Sequence, residues 1–501
     1  MVRPFTNGLV LQILEKYKMI WSLNHSLALM SWDGETYMPE AGVEERSIAV
    51  SQLNVLIQKL ITDQSFVSLV DNTAKETGLN EYEKGLVRVL ERTIKINKKL
   101  PPSLVEEMAM VSEEAKVVWR NARLKDDFNA FQPYLERIVD LSRKKAEYLG
   151  YKEHPYDALL DLYEEDLTCR DVDKVFDVVT PTMEKVLEGV KENGLFPQRH
   201  PLENVKYDLE SMERVNLTVA RRLGYDPKKF RMDISAHPFT QEMGIRDVRI
   251  TTRYEMVDFK STLYSVIHEY GHALYALQVD ESLLGSPISE GVSLGIHESQ
   301  SRFWENIIAR SRQFSEAIFP ILKDNLGFLS GYTHQDVYYY FNTVRPSLIR
   351  VEADEVTYNF HVLLRYQLEK ELIAGNIKVS DLPELWNSSM EKYFGITPKN
   401  YSEGVLQDIH WSQGSIGYFP TYTLGTVISA QLLYHIIRDI PDFNDLVYSM
   451  NFTPIKEWLK NKIHKWGSTY QPQELLKKNI GEEMNPQYFT RYLEEKYLKG
   501  N

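Results

Sequence analysis

A mainly α-helical protein with one small antiparallel sheet is what this 501-residue sequence predicts. Three observations predict it. Apolar residues recur at three- and four-residue steps along most of the chain, the period of amphipathic helices. Only between Lys228 and Met256 does the pattern change: residues 230–234 and 248–254 alternate as short strands, with His237, Pro238, Phe239 and Gly244 between them. Proline and glycine fall at Pro101, Pro102, Pro155, Pro201, Gly375, Pro383, Pro398, Pro420 and Pro441, where they separate helical stretches.

In chain order, Thr6 to about Tyr225 reads as helix after helix. Leu9, Leu11, Leu14 and Tyr17 form one apolar stripe, and Leu53, Leu56, Ile57, Leu60 and Ile61 another. The strand region follows and leads directly into the segment from Ser261 onward, where helical periodicity returns; a small sheet at that point can offer an edge to an extended peptide. No Gly/Ser linker, low-complexity tract or 20–50-residue repeat marks a boundary. We therefore expect one catalytic unit spanning 1–501, with about 1–225 as scaffold and wall and about 226–501 carrying the chemistry.

Formal charge is 58 minus 71, or −13, with both signs interspersed. That argues against nucleic acid or an anionic membrane as the main partner. The single cysteine, Cys169, rules out an intramolecular disulfide and suits a reducing compartment. The first residues lack the apolar core of a signal peptide, and no run of 18 apolar residues occurs, so a soluble cytoplasmic protein is expected.

The chemistry is concentrated in His268-Glu269-Tyr270-Gly271-His272. On a helix, positions i and i+4 share a face, so two imidazoles can converge on one tetrahedral Zn²⁺ while Glu269, about 100° round, reaches an activated water as general base. Leu263, Val266, Ile267, Tyr270, Leu274 and Leu277 supply the periodicity of a buried helix around the pair. The third ligand is read as Glu298, 26 residues beyond His272, on a second helix expected to open at Ser289 or Glu290. Two histidines and one glutamate leave a coordination position open, as a catalytic site requires. Co²⁺ or Mn²⁺ can occupy a similar ligand set.

Two further segments carry candidate groups. The run 404–422 holds His410 and Tyr422 beside a glycine-rich stretch, with a buried aromatic loop as the plainer reading. In Ile349-Arg350-Val351-Glu352-Ala353-Asp354, arginine could grip a carboxylate with Asp354 orienting it, although spacing alone reads the two as an exposed i,i+4 ion pair.

Together these segments resemble the carboxypeptidase Taq family of metallopeptidases. Its signatures stand here in order: His237-Pro238-Phe239; Asp247-x-Arg249-x-Thr251; the His268 to His272 motif followed by His297-Glu298-Ser299; Ile349-Arg350-x-x-Ala353-Asp354; and Gly404-x-x-Gln407-Asp408-x-His410-Trp411. With Trp32-Asp33 and Met38-Pro39, the likeness spans nearly the whole chain. It implies a helical, saddle-like fold with a deep central groove, commonly a homodimer, that releases single amino acids from peptide C-termini with broad specificity. It also implies His268, His272 and Glu298 as metal ligands, Glu269 as general base and Arg350 as holder of the terminal carboxylate, with His237 and Arg249 lining the same pocket. A more distant similarity to neurolysin-type oligopeptidases, which place a histidine and a tyrosine twelve residues apart as transition-state donors, implies that role for His410 and Tyr422. Those relatives often carry an aspartate four residues after the glutamate ligand. Here that position is Arg302, which leaves the acceptor behind the ligand histidines unassigned. The rival with the same chemistry is an oligopeptidase cutting further from the chain end.

Overall fold

The computed structural model describes residues 4–235 and 237–500. Helices dominate it, and the described residues group into two compact units that interleave along the chain. The first takes 1–97, 199–343 and 425–488; the second takes 98–198, 344–424 and 489–501.

In the first unit the opening helix, Gly8–Thr36, is capped by Asn7, whose side-chain oxygen accepts from the Leu9 and Val10 amides at 2.8 and 3.3 Å. Its buried positions are Val10, Ile13, Ile20 and Trp32, while Leu11 is 49% exposed. Of the expected stripe Leu9, Leu11, Leu14 and Tyr17, Leu14 and Tyr17 pack against the core beside Val10, Ile13 and Ile20, while Leu11 faces outward. In the helix Val43–Ile61 only Ile57 and Ile61 are buried, and Leu56 faces outward. Val10, Ile13, Phe66, Val70, Leu86 and Leu90 form one core with Val279, Leu283 and Ile288, residues that follow the histidine motif. The segment between the motif and Glu298 is thereby anchored in apolar packing, which removes water and freedom together.

The sheet has three strands, β1 (Phe230–Ile234), β2 (Thr240–Gly244) and β3 (Asp247–Thr252), in the order β1-β3-β2. It is mixed, not antiparallel: β2 pairs antiparallel with β3, but β1 runs parallel to β3. The short Ile245-Arg246 connection forces a hairpin, whereas the longer link after β1 carries the chain past β3 before β2 begins. Nothing in Thr240-Gln-Glu-Met-Gly alternates in polarity, and only Met243 is buried, so β2 has no sequence signature of its own. It is an edge strand, and its Met243 carbonyl accepts from His25 Nδ1 at 2.6 Å. Among the described residues no helix is long and apolar enough to cross a membrane.

Candidate metal centre and anion-binding cluster

His268 and His272 lie on the helix Phe259–Gln278, whose buried face includes Leu263, Val266, Ile267, Tyr270 and Leu274. Glu298 lies on Leu294–Arg302, which starts only at Leu294 because Ser293 accepts from the Ile296 amide at 3.2 Å; residues 289–293 are not helical. The two helices touch at Gly271. A Cβ there would sit 2.6 Å from both the Gln300 carbonyl oxygen and Ser301 Cα. Gly425 plays the same part behind the ligand: a Cβ there would come within 2.5 Å of Glu298 Cβ and Cγ.

This close approach brings one ligand atom from each of His268, His272 and Glu298 within 4.8 Å of one another. Glu298 Oε2 is 3.6 Å from His268 Nε2 and 3.3 Å from His272 Nε2. Its other oxygen, Oε1, accepts from Arg302 Nε at 2.7 Å, and Ser301 Oγ donates to Oε2 at 3.0 Å, so the carboxylate is fixed with Oε2 toward the two imidazoles. Two imidazole nitrogens and one carboxylate oxygen in this arrangement fit a divalent metal with positions to spare. Glu269 is 7% exposed, and Thr240 Oγ1 donates to its Oε2 at 2.6 Å and to its backbone carbonyl at 3.2 Å. The would-be base is thus fixed independently of the ligand atoms.

The acceptors behind the ligand histidines are two carboxylates that motif reading missed. Glu305 Oε2 lies 2.7 Å from His268 Nδ1. A carboxylate only accepts, so Nδ1 carries the proton and Nε2 offers its lone pair. For His272 the path is longer: its Nδ1 is 3.2 Å from His297 Nδ1, and His297 Nε2 is 2.9 Å from Glu242 Oε1. Glu242 accepts from His297 Nε2–H, His297 Nδ1 then accepts from His272 Nδ1–H, and His272 Nε2 is left with its lone pair available to a metal. Glu305 stands seven residues after Glu298, two helical turns on and just inside the π-helical segment Phe303–Ile308, a same-face spacing that could have pointed to it. Burial alone would depress His268, but the carboxylates of Glu298 and Glu305 hold it up at about 9, so a metal ion binding at Nε2 would displace a proton while Nδ1 keeps its own toward Glu305. Burial opposes ionisation of Glu305 too, yet the Arg302 guanidinium and His268 bring it down to about 2. Glu305→Gln should weaken metal binding about 10- to 100-fold, measured by competition with a chelator.

His237 and Arg249 belong to the same unit. His237 is exposed, with its carbonyl accepting from Ser235 Oγ at 2.6 Å. Arg249 is paired to Asp247 through Nε and Nη2 at 3.0 and 2.8 Å and lies over the Trp32 ring at 5.7 Å.

The second unit gathers the other candidates. Arg350 is buried, 6% exposed, and not the surface residue its spacing suggested. Nor does Asp354 orient it: Asp354 accepts from the amides of Arg345, Val356 and Thr357. The partner is Asp408, whose Oδ1 accepts from Arg350 Nε at 3.0 Å and Nη2 at 2.8 Å, while Nη1 donates to Tyr358 Oη at 2.8 Å. His410 Nε2 is 3.0 Å from Tyr422 Oη, so the two groups that family likeness paired do meet. The segment bearing Asp408 and His410 is pinned by buried Glu369, which accepts from Trp411 Nε1 at 2.7 Å, the Gly417 amide at 2.9 Å and Tyr156 Oη at 2.5 Å.

Burial, reinforced by the Arg350 guanidinium, pushes His410 down to about 3. Its folded pKa is therefore below its unfolded one. The stability gained by keeping it neutral is complete above about pH 6.5 and is drained as pH falls toward 3, by up to about 1.4 kcal/mol per pH unit. Urea midpoints measured between pH 4 and 7 should fall less steeply with acid in His410→Gln than in the native protein.

The chain is similar from end to end to known metallopeptidases. The sequence profile of the carboxypeptidase Taq (M32) metallopeptidases matches residues 12–497. Thermostable carboxypeptidase 1 of Pyrococcus furiosus is 55% identical, covering 99% of this chain and 100% of its own. Carboxypeptidase 1 of Bacillus subtilis is 36% identical over 97% of each. A solved structure of Pyrococcus furiosus carboxypeptidase superposes with a TM-score of 0.96 over 99% of this chain and 100% of its own. The M32 carboxypeptidase of Deinococcus radiodurans, 33% identical, gives 0.93 over 99% and 100%. With a ligand-capable triad, a buried glutamate beside it and end-to-end similarity of sequence and fold, the chain belongs to the carboxypeptidase Taq (M32) family and is a metallocarboxypeptidase.

Proposed function

We propose that this enzyme uses zinc, held by His268, His272 and Glu298, to release single amino acids from the C-termini of peptides with broad tolerance for the side chain removed. The observation that carries the metal assignment is the convergence of those three ligand atoms within 4.8 Å, each histidine backed by an acceptor that frees the correct nitrogen. Bound zinc supplies a Lewis acid and lowers the pKa of a water. Glu269 takes the proton from the attacking water and returns it to the leaving amine. Arg350 receives the substrate's terminal carboxylate: its bonds to Asp408 and Tyr358 use three of its five N–H groups and leave one on each terminal nitrogen, which suits a two-oxygen acceptor. His410 and Tyr422 serve as donors to the developing oxyanion, and His237 and Arg249 contribute to substrate binding.

Under this reading the enzyme is a cytoplasmic homodimer acting on peptides and on neither nucleic acid nor membrane. Metal analysis of the purified protein distinguishes Zn²⁺ from Co²⁺ or Mn²⁺. Mass spectrometry of the products from one unstructured peptide tests the function: a ladder of single-residue losses is expected, and internal fragments would point instead to the oligopeptidase reading. In Arg350→Ala the ladder should fade at unchanged metal content, while equal losses on amidated and free-acid peptides would count against that residue's role.

A further inference from the structure

Arg350 is not the only guanidinium on Asp408. Arg365, fully buried on the helix Tyr358–Ala374, donates its Nε to Asp408 Oδ2 at 2.6 Å, while Arg350 holds Oδ1. One carboxylate therefore lies between two guanidinium groups, and the trio carries a net charge of +1. Aromatic rings wall it in: Arg365 lies over Trp386 at 4.5 Å and Phe419 at 5.4 Å, and Arg350 over Tyr422 at 5.0 Å and Phe419 at 5.6 Å. The backbone amide of Arg350 is also taken, by Gln407 Oε1 at 2.9 Å, so Gln407 and Asp408 grip the same residue at its two ends.

A lone Asp408 beside Arg350 would cancel the charge needed to attract an anion. With Arg365 sharing that carboxylate, Arg350 keeps both its orientation and its positive potential in surroundings of low dielectric. The neighbouring histidines add no compensating charge, since burial first, and then the guanidinium groups, hold both His361 and His410 far below their ordinary range.

Resting on the reading of Arg350 as carboxylate holder, we propose that Asp408 is a positioning residue for substrate recognition. It fixes the Arg350 guanidinium by one edge so that the remaining N–H groups meet the C-terminal carboxylate, and Arg365 is the counter-charge that keeps Asp408 from neutralising it. The geometry asks for a role in binding the free-acid terminus and not in the chemical step.

The test is a double-mutant cycle in the full-length, metal-loaded enzyme with a free-acid peptide. Asp408→Asn should raise KM about 10-fold or more, with kcat changed less than about threefold, since the interaction lost is one made alike in ground and transition states. In an Arg350→Ala background the same change should move KM less than twofold, because the group being positioned is gone. Equal effects in both backgrounds would mark Asp408 as merely structural and overturn the proposal, as would an unchanged KM in Asp408→Asn alone. If Arg350→Ala itself leaves KM unaltered, the underlying reading of Arg350 has failed instead, and the proposal falls with it. Should Asp408→Asn not fold, as judged by near-ultraviolet circular dichroism, Asp408→Glu keeps the charge and shifts it by one methylene. KM should then rise at unchanged metal content, and an unchanged KM overturns the proposal.

Discussion

Glu269→Gln should keep its full complement of metal while peptide turnover drops about 10²- to 10⁴-fold, the usual contribution of a positioned general base. The proposed metal ligands are other residues, and the amide matches the carboxylate in shape, so its Oε1 can still accept from Thr240 Oγ1, which now lies 2.6 Å from Glu269 Oε2. What disappears is the site that receives a proton from water and delivers it to the amine. Metal content by mass spectrometry together with kcat on one peptide decides the matter. Turnover within tenfold of the native rate would mean that another group does the proton transfer.

Gly271→Ala should destabilise the protein and loosen the candidate metal site together. Alanine ordinarily stabilises a helix relative to glycine by about 1 kcal/mol. Here the added Cβ would meet the Gln300 carbonyl oxygen and Ser301 Cα at 2.6 Å, and both are backbone atoms that cannot rotate aside. The overlap outweighs the propensity: overpacked cores lose about 1–3 kcal/mol, and relief requires the two ligand-bearing helices to part. We therefore expect a lower melting temperature and weaker metal binding together, read by calorimetry and chelator competition. Gly331→Ala is the control, since no atom lies within 4 Å of its Cβ position, and it should change neither. Retention of native metal affinity in Gly271→Ala would show that helix contact does not set the ligand geometry.

Which parts of this were legible in the chain follows from the range of the signals. The His268 to His272 spacing lies within one helical turn, and the buried periodicity around it is local too, so both could be read directly. Glu298 could be read only through the upstream histidine pair, because the tertiary approach at Gly271 is what turns one acidic residue among 71 into a neighbour of the imidazoles. Arg350 illustrates the opposite error: Asp354 is near in sequence and was the natural partner, but Asp408, 58 residues on, is the one it meets. Strand β2 escaped because its side chains are polar on both faces. A signal was present, however, in Gly271 itself. Glycine in the middle of a helix is locally unfavourable, and its place between two candidate ligands indicated close helix packing.

The edge strand β2 has a consequence for how this centre tolerates change. Thr240 and Glu242 are two residues apart and so project from the same side of the strand; one secures Glu269 and the other, through His297, the tautomer of His272. The proposed general base and the proposed metal ligand are thus both positioned from a single five-residue ruler. A slip of one position would swing both side chains away at once, and the irregular pairing between Glu242 and Gly244 guards against it. Variation that loosens this ruler will degrade both placements in step, so any lineage that tunes one of them through β2 must carry the other along.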